Sequence, residues 1–326
     1  MKSAHSTSFH IVNADDKLGK VKLFLWVLLN IINNTYFPHR NTKIKIKQFS
    51  PNISDSVWAR IPKAISPARG LTELFLLNID WQAVQIELDH LNVFDTGCGS
   101  GRYGMMLAQL SKSKLTYLGI DPIVHPQWKK RQEENNYLTF KQISSDDIVT
   151  DIPENTNFFF TNSSIEHIEN DLAFFRQINA FIDRTKNNTI QIHFFPSSIC
   201  LWLYLWHGVR QYTPRTISKI INLFGHAHSY SILYSLGGSS CNRLHYRFIT
   251  KPTVWAILKS MLGMRFSWIN QRKSHKEGYW RLLKAAIEKD ALISSSNPTY
   301  YALVIHSNFS NRLFENMGSL TMNTTD

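Results

Sequence analysis

Cysteine is scarce and poorly placed for crosslinking: the 326 residues hold three, Cys98, Cys200 and Cys241. An odd, widely separated set supports neither a disulfide framework nor a spaced zinc site, and it suits a reducing cytoplasm. Acidic residues are outnumbered, 24 against 36 basic ones, for a formal net charge of +12. That excess favours anionic partners such as nucleic acid, sugar phosphates or an acidic lipid surface, without choosing among them. No apolar run reaches the roughly 20 residues that a bilayer span requires. The longest are Leu23 to Ile32 and Ile199 to Trp206. The first follows Lys17, Lys20 and Lys22 in the manner of a signal peptide. It starts late, however, lacks a small-residue cleavage site and runs into Asn33-Asn34. It reads as a helix that packs on the body or lies on a membrane surface. Internal repeats are also lacking.

What is present is enough apolar material for a core. Hydrophobic residues make up 43% and charged residues 18%, which excludes whole-chain disorder and a coiled coil. Residues 1–55 form an N-terminal extension, with a polar, loose start over 1–16, the apolar-basic helix, and a basic stretch through Arg40, Lys43, Lys45 and Lys47. Pro51, Pro62 and Pro67 punctuate the approach to the main domain, 56–307. A helical pattern over Gly70–Leu91 has Leu71, Leu74, Phe75, Trp81, Val84 and Ile86 as its buried face. From Asn92 the texture alternates. Strands are expected at 92–95, 115–120, 137–143, 157–162, 189–195, 228–236 and 299–307, with helices such as 103–112 and 171–184 between them. This predicts an α/β fold with a doubly wound, mostly parallel seven-stranded sheet. Its core lies at 91–250, a helical insertion at 251–298 precedes the last strand, 299–307, and a frayed tail occupies 308–326.

The most informative segment is Val93-Phe94-Asp95-Thr96-Gly97-Cys98-Gly99-Ser100-Gly101, a strand ending on a carboxylate and leading through alternating glycines into a helix. Such a turn lets a ligand approach the backbone and the free N–H groups of the helix start. Gly99 to Gly104 formally match the G-x-G-x-x-G dinucleotide fingerprint, with Asp121 downstream for a ribose. Asp95, however, stands where a diphosphate needs neutral or positive surroundings. The carboxylate suits a cofactor that is cationic at that end, as S-adenosylmethionine is.

On these residues the chain resembles the class I S-adenosylmethionine-dependent methyltransferases, with their Rossmann-like fold. Asp95, Gly97, Gly99 and Gly101 match the family's first motif. Leu118-Gly119-Ile120-Asp121 matches the second, Asp121 falling twenty residues after Gly101. Asp146 or Asp147 would take the carboxylate position near the adenine, and Phe158 to His167 resembles the fourth strand with its Glu-His helix start. The resemblance spans roughly 90–250 and implies that Asp121 binds the ribose, that Asp95 faces the methionine end, and that Asn162 lies beside the cofactor. The Asn/Asp-Pro-Pro-Tyr box of amino-group methyltransferases is missing, its place being taken by Asn162-Ser163-Ser164-Ile165. There is also no Pro-Cys pair for cytosine C5 chemistry.

An oxygen or nitrogen acceptor gains from a base, and histidine is the usual choice. His193, near the end of the fifth strand, and His167 are the two candidates. Glu166-His167 can equally start a helix beneath the cofactor. Glu beside His also suits a metal, but no further ligand stands at a defined spacing, so no metal is expected. His207, Arg210 and Tyr212 follow an apolar aromatic helix and read as an acceptor site, Arg210 suiting a phosphate or carboxylate. Gly237-Gly238 with Asn242, Arg243 and His245 can close the same pocket or simply form a turn. The leading expectation is a cytoplasmic small-molecule or glycan O-methyltransferase. It also resembles accessory enzymes of bacterial surface polysaccharides, which act on nucleotide- or lipid-linked sugars, with peripheral membrane contact through 17–50. An RNA methyltransferase is the runner-up. It is disfavoured because Lys and Arg are scattered and no RNA-binding module is present. A non-catalytic cofactor-binding subunit is the third reading.

Overall fold

The computed structural model describes residues 5–16, 18–36, 44–111, 115–144, 148, 150–225, 228–263, 271–293 and 295–315. Asp146 and Asp147, and most of the basic stretch before Ile44, lie outside the described residues.

The strands form because short β-branched and aromatic runs are bounded by turn residues. Phe158 to Phe160, for instance, are each buried, as expected of a strand covered on both faces. They are β1 (Ile46–Gln48), β2 (Leu91–Thr96), β3 (Leu115–Asp121), β4 (Leu138–Gln142), β5 (Phe158–Asn162), β6 (Thr189–Pro196), β7 (Ser229–Leu236) and β8 (Tyr300–Ser307). Their order in the sheet is β1-β7-β8-β6-β5-β2-β3-β4. All neighbours are parallel except β8, which runs antiparallel between β6 and β7. The expected seven-stranded sheet therefore has an eighth strand. The basic stretch expected to contribute only charge supplies, at Ile46–Gln48, an edge strand pairing with Leu233–Ser235.

Helices cover both faces. On one side lie α1 (Pro67–Leu77), α2 (Trp81–Leu88), α3 (Arg102–Ser111) and α4 (Lys276–Ala291). On the other lie α5 (Asp171–Thr185) and α6 (Pro214–Ile221). The pattern over Gly70–Leu91 is broken into α1 and α2, because Asp80 caps a new helix through the Ala83 amide at 3.0 Å. The break turns Ile86 outward, leaving it 74% exposed where burial was expected.

The N-terminus corrects a second expectation. Residues 5–16 are laid onto the body: Thr7 donates its backbone N–H (2.7 Å) and its hydroxyl to the buried carboxylate of Asp171. The tail is likewise anchored as far as Glu315, with Phe314 buried and Glu87 accepting from the amides of Ser310 and Asn311. A helix over Lys20–Thr35, α7, packs through a narrow edge made of Trp26, Asn30 and Asn33. Trp26 Nε1 donates to the Gly208 carbonyl (3.0 Å) and Asn30 Nδ2 to that of Val209 (3.1 Å). Among the described residues no helix is long and apolar enough to cross a membrane.

Candidate active site

Strand order reverses between β2 and β5, and the crevice at their carboxyl ends is where such sheets bind ligands. β2 ends at Asp95-Thr96 and the chain turns through Gly97, Gly99 and Gly101, all with positive φ. Two of these glycines are sterically required. A Cβ on Gly97 would sit 2.3 Å from Ser164 Cβ, and one on Gly101 would sit 2.2 Å from the Phe140 ring. That ring is held in turn by Trp128, stacked on it at 5.4 Å and donating Nε1–H to the Gly99 carbonyl at 2.7 Å. The Asp121 carboxylate braces the same loop, accepting from Gly99 N–H and Ile123 N–H at 3.0 Å each. Asp95 is buried and accepts the Tyr117 hydroxyl. Burial raises its pKa to about 7; the Tyr117 bond opposes the shift and the Asp121 charge adds to it.

Asp95, Gly97, Gly99, Asp121 and Asn162 line one cavity of about 310 Å³. A larger one, about 750 Å³, adjoins it across Arg69, Arg102 and Ser163. Its wall includes Arg272, Tyr204, His207, His245 and Tyr300. Arg102 is tied to the buried Glu73 at 2.6 Å. Ser163, at the end of β5, and Leu205 and Trp206, just before His207, all hold left-handed backbone (φ 55°, 49° and 58°). Such strain is uncommon outside glycine and tends to gather at functional sites.

Three expected site residues lie elsewhere. His193 is completely buried. Alternation along β6 sends Phe194 toward Phe75 and Phe160, and His193 to the opposite face against Phe175. There its Nδ1 meets the Thr161 hydroxyl (2.9 Å) and its Nε2 meets Gln191 (3.2 Å). The strand runs on to Pro196, so His193 is not at its end, and burial lowers its pKa to about 3. Arg210 is also fully buried, paired with Asp171 at 3.1 Å and donating to the carbonyls of Ile168 and Glu169. Tyr212 gives its hydroxyl to the same Asp171 at 2.8 Å. These two hold α5 and the loop after β6 together and contact neither cavity.

His207 does face the large cavity, and His245 joins it there. The arginines that do so, Arg69, Arg102 and Arg272, went unremarked in the sequence, since each sits on a separate segment and only tertiary packing unites them. His167 bonds Asp15 through Nδ1 at 2.6 Å. Glu166, His167 and His207 gather with ligand atoms within 4.8 Å of one another, although the chain spacing offered no third ligand.

No family model matches the chain, and no curated protein matches it in sequence. Solved structures similar to it include phosphoethanolamine N-methyltransferase 2 of Haemonchus contortus, in complex with phosphomonomethylethanolamine and S-adenosylhomocysteine. That match has 13% identity and TM-score 0.40, covering 67% of this chain and 48% of that one. This chain thus spans about half the length of the Haemonchus enzyme. The plantazolicin methyltransferase BamL matches with 13% identity over 89% of this chain and 99% of its own, TM-score 0.41. The [4+2]-cyclase SpnF matches with 11% identity over 87% and 94%, TM-score 0.43. These are distant likenesses, and the chemistry has to be read from the residues of this chain.

Proposed function

We propose that the chain is an S-adenosylmethionine-dependent methyltransferase whose acceptor is a small anionic molecule, such as a nucleotide- or lipid-linked sugar, methylated on a hydroxyl. The observation that carries this reading is the pairing of two adjoining cavities that share Arg69 and Arg102 at their border, with carboxylates lining only the smaller. The smaller has the glycine turn and the carboxylates of Asp95 and Asp121. They suit an ammonium group and ribose hydroxyls and repel the diphosphate of a dinucleotide. The larger is flanked by Arg69, Arg102 and Arg272, which suit a phosphate or carboxylate on the acceptor.

When bound, S-adenosylmethionine supplies a methyl group on a sulfonium, passed in line to an acceptor lone pair while the carbon–sulfur electrons stay on sulfur. The chain's share is positioning and exclusion of water. Asp121 and the glycine turn fix one end of the smaller cavity. Ser163 and Tyr300, hydrogen-bonded to each other, form its border with the larger. His207 stands at the wall of the larger cavity with Glu166 behind it, 3.9 Å away. Titration calorimetry with S-adenosylmethionine, with NAD as control, tests the reading. Selective binding of the first supports it, and its absence removes it. Arg272→Ala should raise the acceptor KM and leave cofactor affinity unchanged.

A peripheral position on an anionic membrane belongs to the same proposal. Helix α7 turns its apolar side outward: Val21 is 82% and Phe24 72% exposed, with Leu25, Leu28 and Ile31 beside them. Lys20 and Lys22 flank this face, an arrangement that suits insertion among acidic headgroups. Leu201 packs on Trp26 of α7, and the exposed Trp202 and Trp206 follow it. The apolar surface thereby approaches His207 and the large cavity, so an acceptor held in the membrane plane would arrive at its mouth.

A further inference from the structure

We infer that Glu166, His167 and His207 form a binding site for one divalent transition cation at the wall of the larger cavity. Glu166 is completely buried, yet neither carboxylate oxygen has a hydrogen-bond partner. The nearby Tyr300 hydroxyl is hydrogen-bonded to Ser163. A buried carboxylate with open lone pairs is costly unless something cationic satisfies it. His207 Nε2 stands 3.9 Å from Glu166 Oε1, and the His167 and His207 rings meet edge to face at 4.5 Å.

The donor set is two imidazoles and one carboxylate, which suits zinc, iron(II), cobalt(II) or manganese(II) over calcium. His167 is oriented as metal-bound histidines usually are: the Asp15 carboxylate takes its Nδ1 at 2.6 Å and leaves Nε2 for a metal. Tetrahedral ligands with bonds of about 2.0–2.2 Å stand about 3.4 Å apart, so the His207–Glu166 pair, at 3.9 Å, would close by about half an ångström and a pair at the 4.8 Å limit by about 1.4 Å. His207 can supply that movement, because its side chain is 39% exposed. Of the three, His207 lines the large cavity.

The local backbone is built to hold this arrangement. Gly208, with φ 67°, lets the chain pass so close to Glu166 that a Cβ there would lie 2.8 Å from its carbonyl oxygen. Val209 N–H donates to that same oxygen at 2.8 Å. Asp15 is brought in by the N-terminal segment, where Ala14 N–H donates to the Gly208 carbonyl at 3.0 Å. On the methyltransferase reading, the cation would hold the acceptor oxygen and ease loss of its proton to solvent, with His207 as a ligand. Cation binding itself does not depend on that reading.

The test uses the full chain, stripped with a chelator and titrated with Co²⁺ alone, following its visible absorption and, by calorimetry, its stoichiometry. One saturable equivalent is expected. His207→Ala and Glu166→Gln should each abolish it. Asp15→Asn should weaken it about 10- to 100-fold, and His275→Ala, a substitution at an exposed histidine elsewhere, should leave it intact. S-adenosylmethionine affinity, measured on the same His207→Ala protein, should equal that of the unmodified chain, which also shows that the variant is folded. Absence of saturable binding, or binding that survives both His207→Ala and Glu166→Gln, overturns the site. Cobalt binding without S-adenosylmethionine binding would keep the site and remove the methyltransferase reading.

Discussion

Arg210 and Asp171 form an ion pair at 3.1 Å with both side chains wholly enclosed. Asp171 also receives the hydroxyls of Thr7 and Tyr212, so one carboxylate ties the N-terminal segment, the start of α5 and the loop after β6. Truncating one partner strands the other charge without solvent. Arg210→Ala should therefore lower the unfolding free energy by about 3–5 kcal/mol, read from urea denaturation. A change below about 1 kcal/mol would mean that the pair is open to water.

Asp95 makes cofactor affinity depend on pH. Its pKa in the free protein is raised to about 7, so the fold prefers the protonated form. This group's contribution to stability is largest at low pH and falls as pH rises through 7. A cationic ligand needs the carboxylate. S-adenosylmethionine affinity should rise by up to about tenfold per pH unit as pH approaches 7 and level off above it. Calorimetry at pH 5.5, 6.5 and 7.5 checks this, and Asp95→Asn should flatten the profile.

Gly101→Ala forces a methyl group into the Phe140 ring, which cannot retreat because Trp128 stacks on it. Overpacking should cost about 1–3 kcal/mol, and the displaced Trp128 should release the Gly99 carbonyl. Both a lower Tm and weaker S-adenosylmethionine binding are expected. Loss of neither would show that the turn tolerates a side chain.

His193→Ala removes a buried partner of Thr161 and Gln191. Stability should fall by about 1–3 kcal/mol while kcat stays unchanged once a working acceptor is in hand. Because burial lowers the His193 pKa to about 3, the neutral ring stabilises the fold above its ordinary value of 6.5. That contribution is lost as pH falls from there toward 3. The acid loss of stability should accordingly be shallower in the variant. A large fall in kcat would restore the residue to the active site.

Replacing Phe24 and Leu28 on the outer side of α7 with glutamine should leave Tm nearly unchanged, since neither side chain is buried. Binding to anionic vesicles in a sedimentation assay should drop about tenfold or more, given about 1.5–3 kcal/mol for each large apolar side chain inserted. Equal binding by both proteins would remove the membrane contact.

Local chemistry made the sheet and the glycine turn legible. Strand runs such as Phe158–Asn162 advertise themselves by apolar content, and the turn by glycines whose conformations other residues avoid. Asp95 and Asp121 could be located because both sit at strand ends, where the site of any doubly wound sheet lies. What the chain alone could not decide was which way isolated polar side chains point. His193 is one register step from facing the other side of β6, and a single step inverts the assignment. Arg210, the charge read as an acceptor anchor, became the partner of Asp171, thirty-nine residues away. The grouping of Glu166 and His167 with His207, and of Arg69 and Arg102 with Arg272, was likewise tertiary. Secondary structure follows from neighbours along the chain, whereas a site is an intersection of segments, and only the packed fold brings those segments within reach of one another.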